Sequence, residues 1–517
     1  MMERVRVREL LCGSAVMAIF LFSFLLSRSS AQLPDFNPDE SRWISRAHYL
    51  ADLADPFGPT WDDQYMTRGQ PPFGSYVTGA GLLLHGRDLA TNPAWDFALT
   101  WEENLAAGNK PIPADLQAAR SMSALLTATT AVVLIGIACV YVPFAWALLA
   151  GAIFALHPFS RYIGALATAD AAFGLLIALA ALALSRFARD RRWLWAATTG
   201  VLLGLGGATK LSPLAVAAGL SGLACLLAVL PTGLMALTGG RIQGQTGLAA
   251  GSPHPNPSPA HWERGSRPRA RRPASTWQRL VSTNAPQAGP PLPRIGRGAG
   301  GEGRSRATPG IRHHLPLPGL VADPSARRKL AGQGLLIGLA AGLTFVAVYP
   351  YLWPDPIGRT VNLFTFRVVE MATQASDWPV MAVPTRLEAL RRTGLNFSEH
   401  YNLVGTMAGA AHLRVPRLLL QAEVLLAVAG IGVMTRDALR SGWLSAQGLA
   451  LAVLGGQVVV TILGMRSEFD RYHLPAALLG AVAIGVAVHA IVAVLHQGII
   501  GWRAQGSPVN ERMVVRG

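Results

Sequence analysis

From Ser121 to Ser160 the chain runs for 40 residues without one Asp, Glu, Lys or Arg. A helix rises about 1.5 Å per residue, so the run is nearly twice what a hydrocarbon core of roughly 30 Å requires. It therefore reads as two membrane spans joined by a tight turn near Tyr141–Pro143. Composition agrees. Hydrophobic residues make up 51% of the chain and charged residues only 14%, against about 25% charged in an ordinary soluble domain.

Extending the reading to other apolar runs gives spans near 10–27, 121–140, 143–157, 164–184, 193–208, 211–235, 330–350, 415–434, 443–464 and 473–495. The spans at 143 and 193 are short. The first run follows Arg4, Arg6 and Arg8, and Ser29-Ser30-Ala31 resembles a signal cleavage site. Its apolar part exceeds the usual 7–15 or so residues of a signal peptide, so it reads as an uncleaved anchor. The expected class is an all-α polytopic membrane protein with about ten transmembrane helices.

Sidedness follows from the short loops, where Lys and Arg mark the cytoplasmic side. The Arg4/Arg6/Arg8 tail, the segment 186–192 with its four Arg, Arg436 with Arg440, and Arg503 with Arg512 all fall on one side of a ten-span arrangement. The opposite side receives 28–119, with 6 Lys+Arg against 12 Asp+Glu, and the loop 351–414. Both termini are then cytoplasmic and the two long loops external, in a plasma or inner membrane.

The net charge of +16 invites a nucleic-acid reading. Its location argues against one. Residues 239–329 hold 15 Lys+Arg and 3 Asp+Glu, which is +12 of that charge, in Pro/Gly/Arg-rich sequence with no nucleic-acid-binding motif. Such composition buries no core and reads as a disordered cytoplasmic insert. It separates an N-terminal membrane region, 1–238, from a C-terminal one, 330–496, followed by a tail, 497–517. Cys12, Cys139 and Cys225 are isolated and give neither a disulfide framework nor metal spacing.

The chemistry-bearing residues stand at the external ends of the expected spans. Asp39 and Glu40 follow Pro38, which suits a helix start; acidic residues there stabilise a helix without doing chemistry, yet two carboxylates just outside a span could meet a lipid-borne substrate. Arg68 lies in Thr67-Arg68-Gly69-Gln70-Pro71-Pro72, ahead of an apolar segment that could form an interfacial helix. Arg120 heads the second span, where snorkelling alone would explain it. Asp170 sits near the outer end of an apolar span, where an ionisable group is costly and commonly functional. Lys210 and Arg471 stand at outer span ends, and cations there could bind a phosphate. Asp62-Asp63 lacks further ligands, so no metal is expected, and no cofactor is indicated. Gly200 and Gly204 have the spacing of a close helix contact.

Taken in order, these features resemble the membrane glycosyltransferases of GT-C fold: an acidic pair after the first span, Arg at the second, Asp in the fourth, Thr-Lys ending the fifth and Arg-Tyr before the last. Within that superfamily the chain is most similar to the protein O-mannosyltransferases (family 39) and the lipid A aminoarabinose transferases. The resemblance covers most of the chain except 239–329 and the C-terminal tail. It implies a GT-C-like fold with interfacial helices in the outer loops. It also implies a polyprenyl- or dolichyl-phosphate sugar donor and inverting transfer to a hydroxyl on a protein, lipid or glycan. By the same resemblance Asp39 is the acceptor-deprotonating carboxylate with Glu40 beside it, Asp170 is the second acidic residue, and Arg120, Lys210 and Arg471 face the phosphate. Where the aminoarabinose branch has Lys before its Pro, this chain has Gln70, leaving Arg68 as the substitute. The alternative is a transporter or flippase of lipid-linked sugars, though such proteins place binding groups at mid-membrane in repeated halves.

Overall fold

The computed structural model describes residues 2–32, 35–89, 92–229 and 324–505. The expected insert lies outside them except for 324–329, and so do residues 506–517. Helices of eight residues or more are numbered in chain order. The first long loop carries two of them between membrane-length helices: α1 (Met2–Ser30), α2 (Pro38–Ser45), α3 (Phe73–Leu84) and α4 (Pro113–Ala138). There follow α5 (Phe144–Leu156), α6 (Pro158–Ala165), α7 (Asp170–Asp190), α8 (Trp193–Gly207) and α9 (Ser212–Val229). After the basic stretch come α10 (Pro324–Ala347), then α11 (Pro356–Asp377), α12 (Arg386–Leu395) and α13 (Leu403–Ala410) in the second long loop. The chain closes with α14 (Ala422–Ser441), α15 (Ala446–Gly464) and α16 (Leu474–Gln505).

Among the described residues seven helices are long and apolar enough to cross a membrane: α1, α4, α7, α9, α10, α15 and α16. The pair α5–α6 makes an eighth if its bend of 59° is one broken span. The break falls at His157-Pro158, because Pro lacks the N–H that would continue the ladder. Three of the ten expected spans are therefore not by themselves membrane-length apolar helices. The segment at 143 is only the first limb of that bent pair. The segment at 193 is a 15-residue helix, α8. The segment expected at 415–434 is α14, which begins later and carries Glu423, Arg436, Asp437 and Arg440. The expected 164–184 is also shifted: residues 164–165 end α6, 166–169 form a linker, and Asp170 opens α7. Residues 324–329, expected as the end of the insert, are the first turns of α10.

Side-chain bonds identify the two ends of this bundle. At one end the tight turns meet: the Tyr141 hydroxyl donates to the Gln447 carbonyl at 2.5 Å, Gln447 Nε2 to Val140 O at 3.0 Å, and Arg191 to Leu444 O at 2.8 Å. The Arg-rich 186–192 segment and the α14–α15 turn share this end. The two long loops lie at the other and pack on each other.

The segments flanking the basic stretch are packed together. α8 and α9 both lie along α10, and the glycine spacing noted in α8 is what permits it. A Cβ on Gly200 would stand 2.5 Å from the Ile337 carbonyl oxygen, and one on Gly204 would stand 2.5 Å from that of Ala341. Backbone meets backbone there, the usual route to tight helix pairs where apolar surface gives no preference for protein over lipid. The largest apolar core runs through α4, α5, α7, α15 and α16.

Candidate active site

The first long loop starts with a helix whose geometry is fixed locally. Asn37 caps α2: its side chain accepts from the Asp39 N–H, and the Glu40 carboxylate returns a bond to the Asn37 N–H at 2.9 Å. Pro38 fills the first helical position, where no N–H is needed. Neighbouring residues in a helix point about 100° apart, so Asp39 and Glu40 face different surroundings.

Glu40 faces inward and is wholly buried. Its two oxygens accept Arg120 Nε at 2.8 Å and Arg120 Nη2 at 2.7 Å, a fork-on-fork pair, and one of them also accepts the Ala167 N–H at 2.7 Å. Arg120, 3% exposed, spends further donors on the Ala31 and Asp35 carbonyls at 3.0 and 2.7 Å. This unit ties the end of α1, the start of α2, α4 and the linker before α7 into one piece. Arg120, expected to face a phosphate, is bound to Glu40 and also lines a cavity at the start of α2.

Asp39 faces the other way. Its carboxylate is ion-paired with Arg471, about a quarter exposed on each side. Beside it, Lys210 is ion-paired with Asp170, which also accepts the Thr168 hydroxyl at 2.8 Å. The Lys210 ammonium lies 5.3 Å from the Phe173 ring centre and 5.6 Å from that of Tyr472. Burial pushes its pKa below that of free lysine, against the pull of Asp170. The Tyr162 hydroxyl stands within electrostatic range of Asp470, Arg471, Asp170 and Asp39. Four of the expected site residues, Asp39, Asp170, Lys210 and Arg471, thus form one charge-balanced group at the loop end of the bundle.

Arg68 is elsewhere. It pairs with Asp63 at 3.3 Å, and its guanidinium lies 4.7 Å from the Phe366 ring centre, on the contact between the first loop and α11. Asp63 also accepts the Asn362 amide at 2.9 Å and the Tyr351 hydroxyl at 3.2 Å. Both residues therefore serve to dock the two loops. Among the described residues no three His, Cys, Asp or Glu side chains gather as a metal site.

Segment 466–473, which presents Arg471, is held by the second loop. Val383 N–H donates to Arg466 O at 2.8 Å and Glu468 N–H to Met381 O at 2.8 Å. Glu468 accepts His473 at 3.1 Å and Arg392 at 3.0 Å. The His473 bond, with that from Arg392, holds the Glu468 carboxyl below its ordinary range against burial.

A cavity of about 530 Å³ opens at the start of α2, walled by Asn37 and Pro38 there, Ser30 from α1, Arg120 from α4, and Arg161 and Tyr162 from α6. The sequence reading passed over Arg161. The signal was there: Arg161 is the residue that ends the 40-residue charge-free run.

Residues 61–245 match the family described as dolichyl-phosphate-mannose-protein mannosyltransferase. Over that stretch the chain is similar to the protein O-mannosyltransferases. The matched residues include Arg68, Arg120, Asp170 and Lys210, while Asp39, Glu40 and Arg471 lie outside them. No curated protein matches the chain. Among solved structures it is similar to the oligosaccharyltransferase of Archaeoglobus fulgidus tethered to an acceptor peptide, at 11% identity and a TM-score of 0.44, over 93% of this chain and 50% of that one. It is also similar to the AglB oligosaccharyltransferase of that organism in complex with an inhibitory peptide and a dolichol-phosphate, at 11% identity and a TM-score of 0.42, over 96% and 52%. The chain spans about half the length of these matched structures.

Proposed function

We propose that the protein is a membrane glycosyltransferase that moves a sugar from a polyprenyl-phosphate donor to an acceptor hydroxyl, with inversion at the anomeric carbon. The observation that carries this reading is the Asp39–Arg471 ion pair at the loop end of a membrane-length bundle, beside Lys210 and an open cavity. The similarity to dolichyl-phosphate-mannose-protein mannosyltransferases supports it and favours a protein acceptor.

A hydroxyl is a weak nucleophile near neutral pH, and a positioned carboxylate helps by taking its proton as it attacks. Asp39 is the partly exposed carboxylate of the group, whereas Asp170 is held by Lys210 and Thr168. One available carboxylate suits a single displacement. The acceptor oxygen bonds to the anomeric carbon, its proton passes to Asp39, and the bond to the phosphate oxygen breaks. The departing lipid phosphate carries the negative charge away, so no strong acid is required. Arg471 and Lys210 stabilise that charge as it develops.

While Arg471 holds Asp39 the carboxylate is a poor base. A donor phosphate competing for the guanidinium releases it, which makes donor binding the step that arms the site. Glu40 and Arg120 hold α2 in position and take no part in bond making.

The Arg-rich turns lie at the opposite end of the bundle from the loops, and the positive-inside rule then supports an external site in a plasma or inner membrane with cytoplasmic termini. Transport of lipid-linked sugars is less well supported, because these polar groups gather at one end rather than at mid-depth. The test is transfer of radiolabel from polyprenyl-phosphate sugar to an acceptor by purified protein in liposomes. Covalent label that is lost in Asp39→Asn is expected. Movement of the donor across the bilayer without covalent label would overturn the reading.

A further inference from the structure

The cavity at the start of α2 contains a cation that the mechanism above does not use. Arg161 lines it from α6, and among the described residues it forms no ion pair. Its bond is to a neutral group: Nη2 donates to the Ser30 hydroxyl at 3.2 Å. Its Nε is buried without a hydrogen-bond partner. The other cations nearby are engaged. Arg120 is forked onto Glu40, Arg471 is paired with Asp39, and Lys210 with Asp170. A guanidinium with a buried, unfilled donor gains more from an incoming anion than one already neutralised, because no existing pair has to be broken.

Depth and connection narrow the ligand. Ser30, on the same wall, ends the membrane-length stretch Glu9–Ser30, so the cavity stands at the edge of the apolar layer. A phosphate attached to a lipid tail rests at that depth. Asn37 and Pro38 bring the cavity to within one residue of Asp39, and Tyr162, which lines it, stands within electrostatic range of the charged group. One feature opposes an anion: Asp35 is on the wall, exposed, and forms no ion pair with Arg161.

We infer that this cavity receives the phosphate of the lipid-linked donor and that Arg161 is the residue that anchors it. The inference rests on the glycosyltransferase reading and adds to it a residue and a location. The phosphate enters against Arg161, and from there reaches Arg471 and displaces Asp39. Asp35 sets the affinity by repulsion.

The test uses full-length protein in nanodiscs, titrated with polyprenyl phosphate, with polyprenol, and with inorganic phosphate. Arg161→Ala is expected to weaken polyprenyl phosphate binding about tenfold or more, the usual size of a lost charge-assisted bond, while polyprenol binding is unchanged. Asp35→Asn is expected to tighten polyprenyl phosphate binding, and this arm stands even where Arg161→Ala fails to fold. Equal binding of polyprenyl phosphate by wild type and Arg161→Ala would overturn the inference. So would an equal loss of polyprenol, which would mark a purely structural role. Competition by inorganic phosphate at matching concentration would assign the site to a soluble anion and overturn the lipid assignment. Sugar transfer with an unchanged donor KM in Arg161→Ala defeats this inference alone. Arg161-dependent binding in a wild type that transfers no sugar from any polyprenyl-phosphate donor defeats the functional reading and leaves the site standing.

Discussion

Asp39 and Arg471 are separated by 432 positions, yet their side chains form an ion pair at the mouth of the bundle. One comes from the first turn of a helix after the first span, the other from the turn that opens the last. The pair closes the chain on itself at the place where chemistry is proposed. Asp39→Asn keeps the shape and removes the base. Transfer is expected to fall by about 10²–10⁴-fold, with donor KM lowered, because the phosphate no longer competes with a carboxylate for Arg471. The Asn37 cap bonds to the Asp39 backbone rather than its side chain, so α2 should keep its start, and thermal unfolding should shift only by the loss of the part-exposed pair with Arg471. Single-turnover transfer assays on equally expressed protein measure this, and a variant with wild-type rate removes Asp39 from the mechanism.

Arg471→Ala separates masking from stabilisation. If the guanidinium only restrained Asp39, its removal would speed transfer. The proposed role in stabilising the departing phosphate predicts the opposite: kcat falls, and falls more than donor affinity does, because the interaction strengthens as charge develops. A rise in kcat would leave Arg471 as a restraint and nothing more.

Glu40→Gln is expected to act on stability first. Breaking a buried ion pair while leaving one partner in place costs about 3–5 kcal/mol, and here Arg120 would remain buried among carbonyls. Unfolding of detergent-solubilised protein should shift down strongly for Glu40→Gln and for Arg120→Ala alike. The double change Glu40→Gln with Arg120→Met should recover part of the loss, since it removes the stranded charge.

How much of this could be read in the sequence follows the range of the interactions. The 40-residue run without charge places membrane helices by itself, because nothing else accommodates it. Asn37-Pro38-Asp39-Glu40 is a local capping pattern, and the helix it announces is present. Which of the two carboxylates joins the charged group with Arg471 is not local. It depends on Arg120, 80 positions away, taking Glu40 out of play. Arg120, heading a span, and Arg68, in the first outer loop, look in sequence like Arg471: single Arg residues on the outer side. Only the fold shows that the first meets Glu40 and the second Asp63. The shortened spans have a local cause that sequence reading underweighted, namely Pro158 and the charges at both ends of α14.

Gly204→Leu tests whether the halves of the chain on either side of the basic stretch depend on backbone contact. A side chain there meets the Ala341 carbonyl and the Thr344 Cβ, which stands 2.8 Å from an ideal Cβ. Overpacking costs about 1–3 kcal/mol where neighbours can shift, and helix backbone shifts little. A lowered unfolding temperature and faster proteolysis are expected. The exposed position Leu194, on the same helix, should tolerate exchange for Val with little change.

Acid should loosen the second loop from the segment carrying Arg471. Glu468 has its pKa lowered in the fold, first by the His473 hydrogen bond and with help from Arg392. Glu388 is lowered to about 2 by hydrogen bonds from Arg391 and Arg392. A carboxyl whose folded pKa lies below its unfolded value contributes stability that is complete above the unfolded value, near 4.5, and that is lost as pH falls through the folded one. Protection of the 381–395 and 466–473 segments from hydrogen exchange should therefore hold at neutral pH and decline as pH drops from about 4.5 toward 2. Glu468→Gln, which cannot ionise, should show weakened protection at neutral pH and a flatter decline. The same pH profile in wild type and Glu468→Gln would show that this carboxylate does not anchor the loop.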